Sequence, residues 1–74
     1  MKLLESVRTG KRIRSEREAM GYSRAKLADA LGCSAEVIKR WELGINEPGT
    51  FYLRKLCSEL NRSIDWILTG RDWK

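Results

Sequence analysis

The sequence predicts an all-α protein, a compact bundle of about five short helices, from three observations. Serine stands where an N-cap belongs, before three helix-period segments, at Ser23, Ser34 and Ser63. Glycine follows four helical patterns, in the place of a C′ residue, at Gly21, Gly32, Gly44 and Gly70. The chain has a single proline and no alternating β-branched run, so the signals for strands are weak.

The first predicted helix covers residues 10–20, where Ile13, Arg17 and Met20 share one stripe. A stripe at this spacing faces the core of a small bundle, so this helix is expected to be amphipathic. Residues 2–9 either extend the helix or form a separate turn, and the glycine at the junction leaves the choice open.

The second and third helices are joined by a very tight connection at residues 32–33. The second covers residues 24–31, and its predicted core residues are Leu27, Ala28 and Leu31. The third covers residues 35–43 and is expected to bury Ile38 and Trp41, which lie three apart on one face.

The last two helices follow a loop at residues 44–48, which contains the proline, and proline and its predecessor resist helix. The fourth helix covers residues 50–60, with these residues facing inward: Leu53, Leu56, Cys57 and Leu60. The fifth covers residues 64–69, with these residues facing inward: Ile64, Ile67 and Leu68.

Positive charge is concentrated in one part of this 74-residue chain, which is expected to form one domain over residues 1–74. The net charge is +5, and residues 8–40 hold nine Lys or Arg against four acids. The flanks, 1–7 and 41–74, each balance to zero. A localised positive field suits a polyanion such as nucleic acid or an anionic membrane surface, and an ordinary solvated face is the alternative.

Several function classes lack support in the sequence. The chain has no histidine, no nucleophile–base pair and no phosphate-binding glycine loop, so an enzyme is not expected. Cys33 and Cys57 are too few ligands for zinc, so we expect small core thiols, a reducing cytoplasm and no metal or other cofactor. No apolar run approaches the roughly 20 residues of a membrane span, and the first residues lack the apolar length of a signal peptide.

Five segments of the chain resemble the phage-repressor family of helix-turn-helix proteins, which are of the Cro/C1 type and XRE-like. The segments are RIRSEREAMGYS at 12–23, RAKLADALGCS at 24–34, EVIKRWELG at 36–44, EP at 47–48 and LRKLCSELNRSIDWILTG at 53–70. The resemblance covers about residues 10–70, and the ending DWILTG is most similar to lambdoid repressors. It implies a lambda-repressor-like DNA-binding domain with its helix-turn-helix at about 24–43 and a tail at 71–74.

The sequence departs from the family pattern at three positions. Arg24 stands where glutamine usually opens the second helix. Lys26 stands where glutamate is frequent, so a capping box with Ser23 is missing. Gly49 stands where serine commonly caps the fourth helix, and Thr50 is expected to take over that cap.

The outer arc of the third helix is the candidate base-reading surface. The resemblance and the helix geometry agree on four readers, which are Ala35, Glu36, Lys39 and Arg40. Arg40 is the first choice, because a guanidinium can donate two hydrogen bonds to guanine, and Lys39 suits a guanine or a phosphate. Glu36 suits cytosine or a nearby cation, and Ala35 is small enough to approach a thymine methyl. A solvated charged face is the alternative.

Candidate phosphate contacts come from helix starts and loops, which offer free N–H groups and cations. They are Lys11, Arg12, Tyr22, Ser23, Arg24, Ile45 and Asn46, each with an alternative as an ordinary surface residue. Arg24 is expected to hold a phosphate more strongly than glutamine would. The resemblance also implies a largely buried, structural salt bridge between Arg17 and Glu42, which would set the position of the third helix.

The leading expectation is a sequence-specific transcriptional repressor of phage or prophage origin that binds a double-stranded DNA operator as a homodimer in the bacterial cytoplasm, associated with the nucleoid. A restriction–modification controller or an antitoxin on the same fold is a close alternative. A protein-binding module that engages an acidic partner, such as an antirepressor, is an alternative of another class. No membrane partner and no small-molecule substrate are expected.

The last helix and the tail at 71–74 are the expected surface for self-association. Trp66 suits either this surface or core packing, and the sequence does not decide the role of Trp73. The end after Gly70 fits a complete small regulator, and a longer protein with a separate C-terminal dimerisation domain is the alternative.

Overall fold

A computed structural model describes residues 3–71, and these residues form five α-helices with no strand among them. The helices, α1 to α5 in chain order, are Leu4–Ala19, Arg24–Leu31, Ala35–Glu42, Thr50–Leu60 and Ile64–Thr69. The all-α prediction is confirmed, and α2, α4 and α5 have the predicted bounds. The end of α3 comes one residue earlier than predicted, because Leu43 is its C-cap. Part of the predicted tail, with Trp73, lies outside the described residues.

The first helix is a single element of 16 residues that begins at Leu4 and passes through Gly10 without a break. Gly10 is buried where α1 crosses the end of α3. A Cβ atom at this position would lie 2.3 Å from the carbonyl oxygen of Trp41 and 2.7 Å from that of Glu42. Glycine here therefore serves the close approach of two helix backbones and does not end a helix.

Serine hydroxyls cap three of the helices, as the sequence predicts. Ser23, Ser34 and Ser63 each accept a hydrogen bond from the backbone N–H three residues later, at 3.0–3.2 Å. The expectation for α4 is wrong, because its N-cap is Gly49 with no side-chain hydrogen bond, and Thr50 is already the first helical residue. The start of α3 is thus fixed by a local hydrogen bond to the Ser34 hydroxyl.

The core is a cluster of ten buried apolar side chains drawn from all five helices. They are Ile13, Leu27, Ala28, Leu31, Ile38, Trp41, Leu53, Leu56, Leu60 and Ile67. All the core residues predicted for α2 and α3 are buried. Six of these side chains are completely buried, and burial of apolar surface is the dominant favourable contribution to folding.

Three residues predicted to face inward are exposed instead. Met20 is the C-cap of α1, where the chain leaves the helix and turns toward α2. Ile64 and Leu68 are each 40% exposed, because the six residues of α5 bury only Ile67. Since Ile64 and Leu68 are four apart, they lie together on the outer side of α5.

Both cysteines are free thiols and half-buried against the edge of the core. Neither is a fully buried core residue, although the sequence predicts core thiols at both positions. Burial raises the pKa of Cys33 and of Cys57, so both favour the neutral thiol. Among residues 3–71, no group of three or more metal-ligating side chains comes together.

Within that same stretch, none of the helices has both the length and the apolar composition needed to cross a membrane.

Candidate nucleic-acid interface

The third helix has two sharply different faces. Ile38 is fully buried and Trp41 is 4% exposed, so these two side chains fix α3 to the bundle. The charged residues Glu36, Lys39 and Arg40 are exposed to solvent, and Ala35 is partly exposed at the start of the helix. The four candidate readers therefore lie together on the outward arc of α3, and no part of the described chain covers the three charged ones.

The charges on this arc are organised along the helix. A carboxylate oxygen of Glu36 lies 3.6 Å from Nε of Arg40, an i,i+4 pair in which both side chains are more than half exposed. Such an exposed pair contributes little to stability. The pair instead orients the guanidinium of Arg40 along the arc, and the Arg40 side chain stays exposed.

Glu42 joins three helices at the buried end of α3. Its carboxylate accepts hydrogen bonds from Arg17 of α1 at 2.6 and 3.2 Å, and from Nε of Arg24 of α2 at 2.9 Å. The side chain of Glu42 is 1% exposed and that of Arg17 is 9% exposed. The hydrogen bond to Glu42 raises the pKa of Arg17. Arg17 also donates to the carbonyl of Tyr22 at 2.7 Å, which holds the turn between α1 and α2.

Arg24 has a neighbour that the sequence did not reveal. The sequence predicts that Arg24 holds a phosphate. In the structure, Nε of Arg24 donates a hydrogen bond to the carboxylate of Glu42. The side chain remains 34% exposed. Arg24 is thus a member of the three-helix network whose outer part still reaches solvent at the start of α2.

Four other phosphate candidates lie at the turns on either side of the helix-turn-helix. Ser23 uses its hydroxyl as the cap of α2, and Tyr22 is half-buried with Lys26 Nζ 5.5 Å from its ring centre. The side chains of Ile45 and Asn46 are exposed after α3. Their backbone N–H groups both donate to the carbonyl of Arg40. Only their side chains are therefore left to contact a phosphate.

Lys11 and Arg12 lie elsewhere. The guanidinium of Arg12 donates to the carbonyls of Ile67 and Leu68, at 2.7 and 2.9 Å, and so caps the end of α5. Lys11 is exposed beside it on the outer side of α1. Arg12 therefore fastens α1 to α5, and the phosphate contacts predicted for Lys11 and Arg12 stay predictions.

Two further long-range pairs went unseen in the sequence. Ser6 near the start of α1 donates to Glu47 in the loop before α4, and Arg62 pairs with Glu16 at 2.8 Å. Their members are separated by more than 40 residues, so no spacing rule would have found them. Both tie α1 to the C-terminal half of the bundle.

A five-helix bundle that holds one short, basic-faced helix outward defines a helix-turn-helix DNA-binding domain. The chain belongs to the helix-turn-helix family of Cro/C1-type, XRE-like regulators, and residues 13–67 match that family. The family is one of DNA-binding transcriptional regulators and not of enzymes.

Curated relatives include a prophage protein. The SPbeta prophage-derived HTH-type transcriptional regulator YonR of Bacillus subtilis is 36% identical over 61 residues, which are 82% of this chain and 56% of that protein. An HTH-type transcriptional regulator of Sinorhizobium medicae is 34% identical over 61 residues, with 82% of this chain and 44% of that protein covered. The chain spans about half the length of these relatives.

Solved structures give the same architecture. The P22 c2 repressor, in complex with a synthetic operator, is 33% identical with a TM-score of 0.83, covering 85% of this chain and 96% of that one. The restriction-modification controller C.AhdI of Aeromonas hydrophila is 25% identical with a TM-score of 0.81, covering 88% and 98%. SinR, a regulator of biofilm formation in complex with DNA, is 28% identical with a TM-score of 0.75, covering 81% and 97%.

Proposed function

We propose that the protein is a sequence-specific regulator of transcription that binds an operator in double-stranded DNA, with α3 in the major groove. One observation carries the proposal: α3 is fixed by Ile38 and Trp41 while its charged arc is left open to solvent. A helix can read base edges only if its position is rigid, since hydrogen bonds depend on geometry. Repression follows when the bound protein occupies a promoter in the bacterial cytoplasm.

Each reader has a role in this proposal. Arg40 donates two hydrogen bonds to a guanine, and Glu36 orients it or accepts from a cytosine. Lys39 contacts a guanine or a nearby phosphate, and Ala35 lies against a thymine methyl. Arg24, Ser23 and Tyr22 at the start of α2 take a phosphate on one side of the groove, and the side chains of Ile45 and Asn46 take one on the other.

The proposed operator complex is a homodimer that spans two half-sites about one DNA turn apart. The contact proposed for this dimer is the pair Ile64 and Leu68 on α5, two apolar side chains that are four apart on one helix and each 40% exposed. The similarity to the prophage regulator and to the P22 c2 repressor supports a phage or prophage origin. The similarity to C.AhdI favours a second candidate, a restriction–modification controller, which would use the same surface of α3 on DNA.

The deciding experiment selects the protein's preferred sequence from random duplexes and measures its affinity against salt. We expect a preferred site bound at least about a thousandfold more tightly than random duplex. Its affinity should fall steeply as salt rises, because neutralised phosphates release counterions. The double variant Lys39→Ala/Arg40→Ala is the negative control, and it should keep the fold and lose the preference. Equal binding of wild type to all duplexes would remove the proposed function.

A further inference from the structure

A basic cleft lies between α1 and α5, on the side of α1 that faces away from α3. It has a volume of about 300 Å³ and is lined by Arg8, Lys11, Arg12, Ser15 and Trp66. Gly10 and Arg17 turn toward α3, and at about 100° per residue the cleft residues fall on the opposite side of the helix. The cleft is therefore separate from the reading arc.

Among the described residues, the cations of the cleft have no acidic partner. Within the described part of the chain, neither Arg8, Lys11 nor Arg12 has a carboxylate within 4.0 Å. Arg12 is committed to two carbonyl oxygens of α5, which fixes its position but does not neutralise it. Burial and the neighbouring positive charge of Arg8 both lower the pKa of Arg12. An anion placed here would relieve the repulsion between these two guanidinium groups.

The far wall of the cleft is apolar and held in place. Trp66 is half-buried, and the guanidinium of Arg62 lies over its ring at 4.1 Å. Arg62 is in turn bound to Glu16 of α1 at 2.8 Å. An indole fixed in this way offers a rigid surface to an apolar side chain at small entropic cost.

We infer that this cleft is a docking site for an acidic peptide segment of a partner protein, one in which carboxylates flank an apolar side chain. Carboxylates match the guanidinium of Arg8 and the ammonium of Lys11, and the apolar side chain meets Trp66. A DNA backbone would supply the anions but nothing for the indole. Since the cleft faces away from α3, the partner can bind while α3 is on DNA. The inference does not depend on the proposed DNA binding.

The test titrates the ¹⁵N-labelled full chain with a capped peptide of the sequence Glu-Glu-Phe-Glu-Glu and follows the indole N–H signal of Trp66 by NMR. We expect saturable shifts at Trp66 and at the backbone of Arg8 and Lys11. The variant Arg8→Glu/Lys11→Glu should weaken binding about tenfold or more, since two favourable charge contacts become repulsive. The matched control, Arg14→Glu/Arg54→Glu, changes the net charge equally with two exposed residues outside the cleft, and it should bind as wild type does.

Five outcomes would overturn the inference. Equal weakening by both double variants would mean attraction by net charge alone. Equal binding of a peptide with serine in place of phenylalanine would remove the role of the indole. Saturation of the same signals by inorganic phosphate at the same concentration would indicate a small-anion site. If Arg8→Glu/Lys11→Glu binds random duplex more weakly than its control does, the cleft is a DNA contact. If the sedimentation coefficient of Arg8→Glu/Lys11→Glu differs from that of the wild type, the cleft is a contact with a second copy.

Discussion

Arg40 has the properties that base reading requires, since its guanidinium is exposed and its only described ion partner is a residue of its own helix. We expect Arg40→Ala to cost about 1–3 kcal/mol on the preferred duplex and to relax the choice of base at one position. Competition binding against duplexes substituted at each position measures both effects. Arg14→Ala is the matched control, because Arg14 forms an equally exposed i,i+4 pair, with Glu18 on α1. An unchanged sequence preference in Arg40→Ala would contradict its role.

Glu42 is the residue on which the position of α3 depends most. Glu42→Ala would leave Arg17 buried without its counter-charge, which we expect to lower the unfolding free energy by about 3–5 kcal/mol. Arg24→Ala should cost much less, below about 1 kcal/mol, because that side chain is a third exposed and Arg17 still satisfies Glu42. Urea denaturation of the two variants measures the difference. Equal losses would show that Arg24, and not Arg17, is the main partner.

Arg24→Ala has a second expected effect, on DNA. If the outer part of its guanidinium holds a phosphate, the variant should weaken all duplexes alike and flatten the salt dependence by about one ion. Binding titrations at several salt concentrations, on preferred and random duplexes, check this. A loss confined to the preferred sequence would instead place Arg24 at a base.

For single residues, the sequence predicts contacts and exposure well when the residues are close together on one helix. It predicts contacts between residues far apart in the chain poorly. The arc of α3 follows from the spacing of Ile38 and Trp41, and the structure leaves its charged residues exposed. The link from Arg24 to Glu42 joins residues 18 apart, and the sequence reading assigned Arg24 to solvent and phosphate alone. The attachment of Arg12 to α5 spans 55 residues and was likewise invisible.

Among the elements, α1 shows best what local signals miss. In the sequence, Gly10 indicates a possible break in this helix, because an isolated glycine lowers helix propensity. The reason that a glycine is needed there is the backbone of α3, a tertiary contact that no window of sequence contains. The bounds of α2 and α5 were predictable because a capping serine and a terminal glycine, both local features, mark their ends. The start of α4 follows from the proline loop before it. Ile64 and Leu68 share one stripe of α5 with Ile67, and helix period alone does not show that only Ile67 is fully buried while the other two are partly exposed.

Gly10→Ala tests the close crossing of α1 and α3. In an open helix this change would stabilise by about 0.5–1 kcal/mol. Here the added methyl would meet two carbonyl oxygens, so we expect a net loss of about 1–3 kcal/mol. The control is Gly49→Ala, where nothing lies within 4 Å of an added Cβ atom and only a modest change at a helix cap is expected. Thermal and urea unfolding of both variants give the comparison, and a more stable Gly10→Ala variant would mean that the helices are able to separate there.

For the whole molecule, the outer side of α5 is the proposed dimer contact. Because Ile64 and Leu68 are each 40% exposed and bury the rest of their surface, Ile64→Lys/Leu68→Lys should lower the unfolding free energy by about 1–3 kcal/mol. The association measurements are therefore made where circular dichroism shows that the variant is folded. The same variant should shift the sedimentation equilibrium toward monomer and reduce affinity for a two-half-site duplex. The control is Ala19→Lys/Ser58→Lys, which adds the same charge at two exposed positions that are not large apolar residues. Unaltered self-association in the α5 variant would place the contact elsewhere.

The two-faced character of α3 has an evolutionary consequence. Its outward charged side chains make no contribution to the core, and the described residues that hold the helix lie behind it or at its ends. Substitutions among Glu36, Lys39 and Arg40 therefore leave folding almost untouched. Under the proposed function, a lineage carrying this scaffold can change its target sequence by single substitutions on this arc, and a new specificity can be grafted onto it without redesigning the core.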